Sequence, residues 1–338
     1  MLKLDGSQGE GGGQILRTSL ALSMCLGKAF HIYHIRATRQ KPGLQPQHLA
    51  AVKAAASIAH AEVKGAELGS QTLSFVPQTV EGGEYRFAIG TAGSTTLLFQ
   101  TLLPALMRAR HASRVILEGA THNPMAPPFE FLNHAFLPLI NRMGPTVKAR
   151  LVRPGYVPAG GGELDISIQP LNNLRPLTIL QRGKLVEIRA EVMLSHLPAH
   201  IAQRELAVIA ESLHLPDSCL SVHSDTSAIG PGNCVSISIQ SEMITEVFTA
   251  LGKRGLPAEQ VASQVVSEAS EYLASDIPVG PYLADQLLLP LALAGSGAFV
   301  TGPPCLHTTT NMAVIQQFIE KPFTLEQLTP TSWRIGLA

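Results

Sequence analysis

One hydrophobic pattern occurs three times along the chain. Each time, a short glycine-containing polar loop runs into a helix-length stretch rich in Leu and Ala. Gly9-Glu10-Gly11-Gly12-Gly13-Gln14 precedes apolar positions 15–24. Gly90-Thr91-Ala92-Gly93-Ser94-Thr95 precedes 97–107, and Val279-Gly280-Pro281-Tyr282 precedes 283–293. The first two starts lie about 80 residues apart and the third far downstream. After each helix the pattern predicts a strand, at 31–35, 114–117 and 298–300. A polar loop and a second helix follow, at 47–59, 128–143 and 311–319. Repeated helix–strand–helix units packed on sheets predict a layered α/β or α+β architecture.

The long gap before the third copy has its own pattern. A strand is predicted at 185–194, with Val186, Ile188, Ala190 and Val192 on one side. An amphipathic helix follows at 198–213, an alternating strand at 235–240 and a helix at 258–273. This reads as a small α/β module at 184–276, inserted into a larger part made of 1–183 plus 277–338. Proline-containing segments at 170–176 and 277–281 mark the crossings.

Composition narrows the classes. With 45% hydrophobic and 15% charged residues among 338, the chain can bury a sizeable core and is not disordered. Lys plus Arg (25) balance Asp plus Glu (25), which argues against coating long nucleic acid. Any such contact is expected to be local, a strand end held in a pocket. Cys25, Cys219, Cys234 and Cys305 form no CxxC pair and no zinc spacing, so a reducing compartment fits. Residues 1–6 lack the apolar run of a signal peptide, and the stretches at 97–107 and 287–294 are too short to span a bilayer. The expected location is cytoplasmic, with no membrane partner.

Several segments carry candidate chemistry. In the loop at 5–14, glycines allow close ligand approach and the following helix offers free N–H groups, while Glu10 suits a divalent cation beside phosphates. A tight turn with a solvated Glu reads equally well. Arg17, Arg36, Arg39, Lys41 and His48 form a basic group suited to phosphate, although any one of them alone reads as surface. The loop at 119–128 follows a strand and could line a site or be a plain turn. Gly160-Gly161-Gly162 reads as packing-driven backbone. In Tyr282-Leu283-Ala284-Asp285-Gln286, polar residues open an apolar helix and face either solvent or a site, and complementing the helix dipole is a second reading of Asp285. His307 lies in a loop or helix start after a strand. An imidazole there becomes a nucleophile on phosphorus once its other nitrogen is held by an acceptor, but a single His among twelve is usually a bystander. Cys305 is nearby without an evident basic neighbour.

Taken in order, the segments at 5–14, 86–94, 158–162 and 282–286 and the His307 segment resemble the RNA 3′-terminal phosphate cyclase family over nearly the whole chain. One departure is Pro154, where the family usually carries Arg or His before the glycine equivalent to Gly155. The resemblance implies three βαβαββ units with a smaller inserted α/β domain. It also implies ATP-dependent conversion of an RNA 3′-terminal phosphate to a 2′,3′-cyclic phosphate, through adenylyl-histidine at His307 and an RNA–adenylate. By the same resemblance, Glu10 is expected to help hold Mg²⁺ or Mn²⁺. Gln100, Pro127, Tyr282, Leu283, Ala284, Asp285 and Gln286 are expected at the nucleotide. Arg17, Arg36, Arg39, Gln47 and His48 are candidates for the RNA terminal phosphate. The alternatives are a non-catalytic relative in RNA processing, against which His307 argues, an enolpyruvyl-transferring enzyme built from similar units, and a plain RNA-binding module.

Overall fold

The computed structural model describes residues 1–337. The first unit runs β1 (Leu2–Asp5), α1 (Gly13–Leu26), β2 (Phe30–Tyr33), α2 (Pro46–Ala59), β3 (Glu62–Lys64) and β4 (Leu73–Val76). The second runs β5 (Glu84–Ala88), α3 (Thr95–Leu106), β6 (Ser113–Gly119), α4 (Phe129–Phe131), a π-helical turn (Leu132–Phe136), α5 (Leu137–Arg142), β7 (Thr146–Arg153) and β8 (Gly162–Gln169). The third opens with β9 (Leu177–Ile179). The chain then leaves for β10 (Leu185–Ser195), α6 (His200–Leu213), β11 (Leu220–Ser224), β12 (Gly232–Ser241), β13 (Thr245–Leu251) and α7 (Ala258–Ala274). It returns as α8 (Pro281–Ala294), β14 (Gly297–Thr301), α9 (Leu306–Phe318), β15 (Phe323–Thr329) and β16 (Ser332–Leu337).

Strand order shows the repetition directly. The three unit sheets run β1-β2-β4-β3, β5-β6-β8-β7 and β9-β14-β16-β15. In each, the first strand pairs parallel with the second (Leu2 with Phe30, Glu84 with Arg114, Leu177 with Gly297), and the remaining pairs are antiparallel. Parallel neighbours need a crossover, which the first helix of each unit supplies. The fold is therefore a mixed, layered α+β architecture of three βαβαββ units.

The first helix of each unit packs on its own sheet, α1 on β2 and β4, α3 on β6 and β8, and α8 on β14. α1 lies against α2, α3 and α9, and α8 lies against α9. Their apolar faces, with Leu20, Phe99, Leu102, Leu287 and Ile315 fully buried, join in one core that spans all three units. The inserted elements have a second hydrophobic cluster. Val192, Ile237 and Phe248 of the sheet β11-β10-β12-β13 bury against Ile209 of α6 and Val265 of α7. Within β10, Ala190, Val192 and Leu194 face inward. Val186, expected on that face, is exposed because a register shift near the strand's start precedes the regular pairing.

Local sequence explains the element ends. Ser94 caps α3, its Oγ accepting from Leu97 N–H at 3.2 Å. α1 ends at Gly27 in the left-handed conformation that glycine adopts freely. The predicted helix at 128–143 is interrupted by the π-helical turn. Pro138 follows it and cannot donate to the His134 carbonyl, so the regular ladder cannot continue there. At the triple glycine, Gly160 and Gly161 have φ of +66° and +69°. A Cβ on Gly162 would sit 2.7 Å from the Gly155 nitrogen, which is the packing reason for that run.

Candidate active site

The first helices of the three units present their N-terminal halves to one place. α1 contributes Gln14 and Arg17, α3 contributes Gln100, and α8 contributes Tyr282, Asp285 and Gln286. The N-terminus of α9 adds His307. α9 starts at Leu306, five residues before the predicted helix, so His307 stands in its first turn. It lies beside main-chain N–H groups that have no partner within the helix.

Gln14 ties these helices together. Its Nε2 donates to both Asp285 carboxylate oxygens, at 2.6 and 2.7 Å. Asn311 Nδ2 donates to Asp285 Oδ1 at 3.0 Å, and Thr18 Oγ1 donates to Asn311 Oδ1 at 2.8 Å. Burial raises the Asp285 carboxyl above its ordinary value. The hydrogen bonds from Gln14 and Asn311, with His307 and Arg17 nearby, pull the other way. A carboxylate only accepts, so the Gln14 amide must turn its NH₂ toward Asp285 and its oxygen toward His307. That oxygen lies 3.2 Å from His307 Nδ1. The chain of bonds places the ring proton on Nδ1 and leaves Nε2 with its lone pair. Gln100 Nε2 donates to Gln286 Oε1, joining α3 to α8.

The start of α1 is an anion-ready corner. Gly12 precedes the helix without a side-chain cap, and Gly13 lies against Arg17 and His48. Burial lowers Arg17 to about 10, with Asp285 opposing and Arg36 adding to the shift, so Arg17 stays cationic. Burial, then Arg17 and Arg36, lower His48 to about 3 and keep it neutral. Its Nδ1 accepts from Gln45 N–H at 3.1 Å, so its Nε2 is the donor, and that nitrogen faces Gly13. Arg36 Nε is buried with no hydrogen-bond partner.

The His307 relay and Arg17 border a cavity of about 1720 Å³ that reaches from His307 to the inserted elements. Its wall includes Gln14, Arg17, Gln100, Pro127, Tyr282, Asp285 and Gln286. From the insert it also takes His200, Lys253 and Arg254.

Not all expected residues reach it. Leu283 and Ala284 point into the core and are buried, so only their main chain can serve a ligand. Glu10 lies just outside the cavity wall. Its N–H donates to Thr310 Oγ1 of α9 at 2.9 Å, and its carboxylate pairs with Arg39. Gln47 faces the second unit, accepting from Ser94 N–H at 3.5 Å. Arg36 and His48 cluster with Arg17 behind the α1 terminus, while Arg39 is spent on Glu10. Gln14, Thr18 and Asn311 had no assigned role in the sequence. The one available signal was Gln14, a polar residue at the mouth of an apolar helix.

A repeat-built α+β protein, with helix N-termini and a held histidine around one cavity, is the class that fold and site define. The model of the family described as RNA 3′-terminal phosphate cyclase matches residues 8–325. The chain is 50% identical over 327 residues to an RNA 3′-terminal phosphate cyclase of Koribacter versatilis (strain Ellin345), covering 97% of this chain and 92% of that protein. The chain belongs to the RNA 3′-terminal phosphate cyclase family. Among solved structures, the enolpyruvyl transferase NikO from Streptomyces tendae aligns with a TM-score of 0.36 at 13% identity. That alignment covers 99% of this chain and 47% of that one. No helix among the described residues is long and apolar enough to cross a membrane.

Proposed function

We propose that the protein is an ATP-dependent RNA 3′-terminal phosphate cyclase that works through AMP carried on His307. The observation that carries this reading is the Asp285–Gln14–His307 chain, which bares Nε2 at the mouth of a helix-lined cavity. In the first step Nε2 attacks the α-phosphorus of ATP, an N–P bond forms, and the bond to pyrophosphate breaks. The ring becomes cationic as it bonds, and Gln14 Oε1 then accepts from a more acidic Nδ1–H. That contact strengthens as charge develops, which is where a contact accelerates a reaction.

In the second step an oxygen of the RNA 3′-phosphate attacks the same phosphorus and His307 leaves as neutral imidazole. Arg17, Arg36, His48 and the first turn of α1 suit the phosphate dianion. In the third step the vicinal 2′-OH attacks the activated 3′-phosphorus, its proton passes to solvent, the bond to the adenylate oxygen breaks, and AMP leaves. The nucleophile is already adjacent, so proximity supplies much of the advantage. Gln100, Pro127, Tyr282, Asp285 and Gln286 suit the nucleotide, with Tyr282 half-free to pack on a base.

Glu10 offers one hard carboxylate, which suits Mg²⁺ or Mn²⁺ that keep water and phosphate oxygens as their other ligands. Arg39 now neutralises that carboxylate and would have to yield it. A bound ion there would offset charge on the triphosphate.

The test is incubation with α-labelled ATP. Acid-labile label on the protein, absent in His307→Ala and discharged by RNA bearing a 3′-phosphate, is the expected result. Unlabelled wild-type protein across Mg²⁺ and Mn²⁺ conditions would overturn the reading in favour of a non-catalytic relative.

A further inference from the structure

Away from the His307 corner, three potential metal ligands meet where the second unit touches the insert. His122 comes from the loop after β6, Glu130 from α4 and Cys234 from β12. His122 Nε2 lies 3.0 Å from both Glu130 carboxylate oxygens, and Cys234 Sγ lies 3.9 Å from Glu130 Oε2. The three ligand atoms fall within 4.8 Å of one another. All three side chains are buried, the His122 side chain completely. Around them, α4 and the π-helical turn pack on β13, and the Tyr156 ring stacks on His122 at 5.0 Å.

The contact between Nε2 and the carboxylate needs an electropositive partner, because both sides present lone pairs. A proton can fill that role, and so can a metal ion. The surroundings are equipped for the second case. His122 Nδ1 lies 2.8 Å from Thr121 Oγ1, which accepts from Gly155 N–H at 3.0 Å and has the Gly155 carbonyl at 3.4 Å to receive its own proton. Thr121 can therefore accept Nδ1–H and leave Nε2 as a ligand, the outer-shell arrangement usual for metal-binding histidine.

We propose that His122, Glu130 and Cys234 bind one thiophilic divalent cation, Zn²⁺ by ligand type, and that the ion clamps the insert to the second unit. Imidazole, carboxylate and thiolate suit zinc, whose bond lengths of about 2.0–2.3 Å need ligand atoms roughly 3–4 Å apart. Small shifts close the present spacing to that range. His122 is also among the residues that line the large cavity. Charge balances on binding. Zn²⁺ replaces the proton shared by His122 and Glu130 and the thiol proton of Cys234, and two protons go to solvent. The buried site is neutral before and after. The soft thiolate separates this site from Glu10, which suits hard ions. The clamp is independent of the adenylyl-histidine reading.

Metal-free full-length protein titrated with Co²⁺, then Zn²⁺, tests this. The expected result is one equivalent bound, a thiolate-to-cobalt charge-transfer band displaced by Zn²⁺, and two protons released per ion. A rise in Tm of the order of 5 °C is expected at saturating Zn²⁺. Cys234→Ser should abolish the band, whereas Cys305→Ser and His307→Ala should keep it. If Cys234→Ser does not fold, Thr121→Val reads the same site. It keeps all three ligands and should weaken binding about 10- to 100-fold. Absence of stoichiometric binding at micromolar metal, a band that survives Cys234→Ser, or a band lost in Cys305→Ser each overturns the proposal.

Discussion

Asp285→Asn is the sharpest probe of the His307 arrangement, because it changes almost no volume and reverses a hydrogen-bond direction. In the native site Asp285 accepts from Gln14 on both oxygens and from Asn311 on Oδ1. An asparagine there keeps its oxygen toward Asn311, whose Nδ2 must donate, and turns its NH₂ toward Gln14. Gln14 then offers its oxygen to that NH₂ and its own NH₂ to His307. Nδ1 becomes the acceptor, and the proton moves to Nε2, the nitrogen that attacks in the proposed mechanism. Restoring the reactive tautomer means breaking two buried hydrogen bonds, at about 1.5–2.5 kcal/mol each, or roughly 3–5 kcal/mol in all. At 1.36 kcal/mol per decade, the first chemical step should slow by roughly 10²- to 10⁴-fold. The assay is single-turnover labelling of the protein with saturating α-labelled ATP, quenched in alkali. A loss below about fivefold, or one seen only as weaker ATP binding, would refute the relay.

Three further outcomes follow from other contacts. Glu246 is buried, and burial lifts its carboxyl to about 8 against the bonds from Gly280 and Val247 N–H. A folded value above the unfolded 4.5 means stability is fully present below 4.5 and is lost as pH rises through about 8. The interval bounds that loss at roughly 5 kcal/mol. Glu246→Gln should match wild type near pH 5 and unfold at higher temperature near pH 8.5, and parallel Tm curves would sink the assignment. Gly13→Ala puts a Cβ 2.4 Å from His48 Nε2 and 2.7 Å from Arg17 Nη1. It should displace both groups and weaken binding of 3′-phosphate RNA at least tenfold, as read by competition binding, and unchanged affinity would remove this corner from the phosphate site. Arg17→Ala should erase most of the preference for a 3′-phosphate over a 3′-hydroxyl end, and an unchanged ratio would remove Arg17 from the phosphate site.

The repeat was legible because its helices are long and strongly apolar, so 15–24, 97–107 and 283–293 lie within α1, α3 and α8 apart from Met107, the residue after α3. Strands of three or four residues such as β3 and β9 carry too little alternation to be seen, and β1 and β5 sit among polar residues. The early start of α9 was hidden by Thr308, Thr309 and Thr310, which have low helix propensity. Burial of Thr308 and Thr310 and the bond that Thr310 Oγ1 accepts from Glu10 N–H outweigh that preference. Of the site, His307 and the residues at 282–286 could be named from their motifs. The Gln14 relay could not, because it depends on which helices touch. The same reason hid His122, Glu130 and Cys234, whose spacings follow no local zinc pattern.

The hydrogen bond between Gln14 and His307 spans 293 residues, and that between Glu10 and Thr310 spans 300. At synthesis rates of about 5–20 residues per second, His307 leaves the ribosome roughly 15–60 s after Gln14. For that interval the first glycine loop and its arginines exist without the helix that completes them. On the proposed mechanism the chain is thus born with that corner open, and it gains its nucleophile only once the last unit has docked.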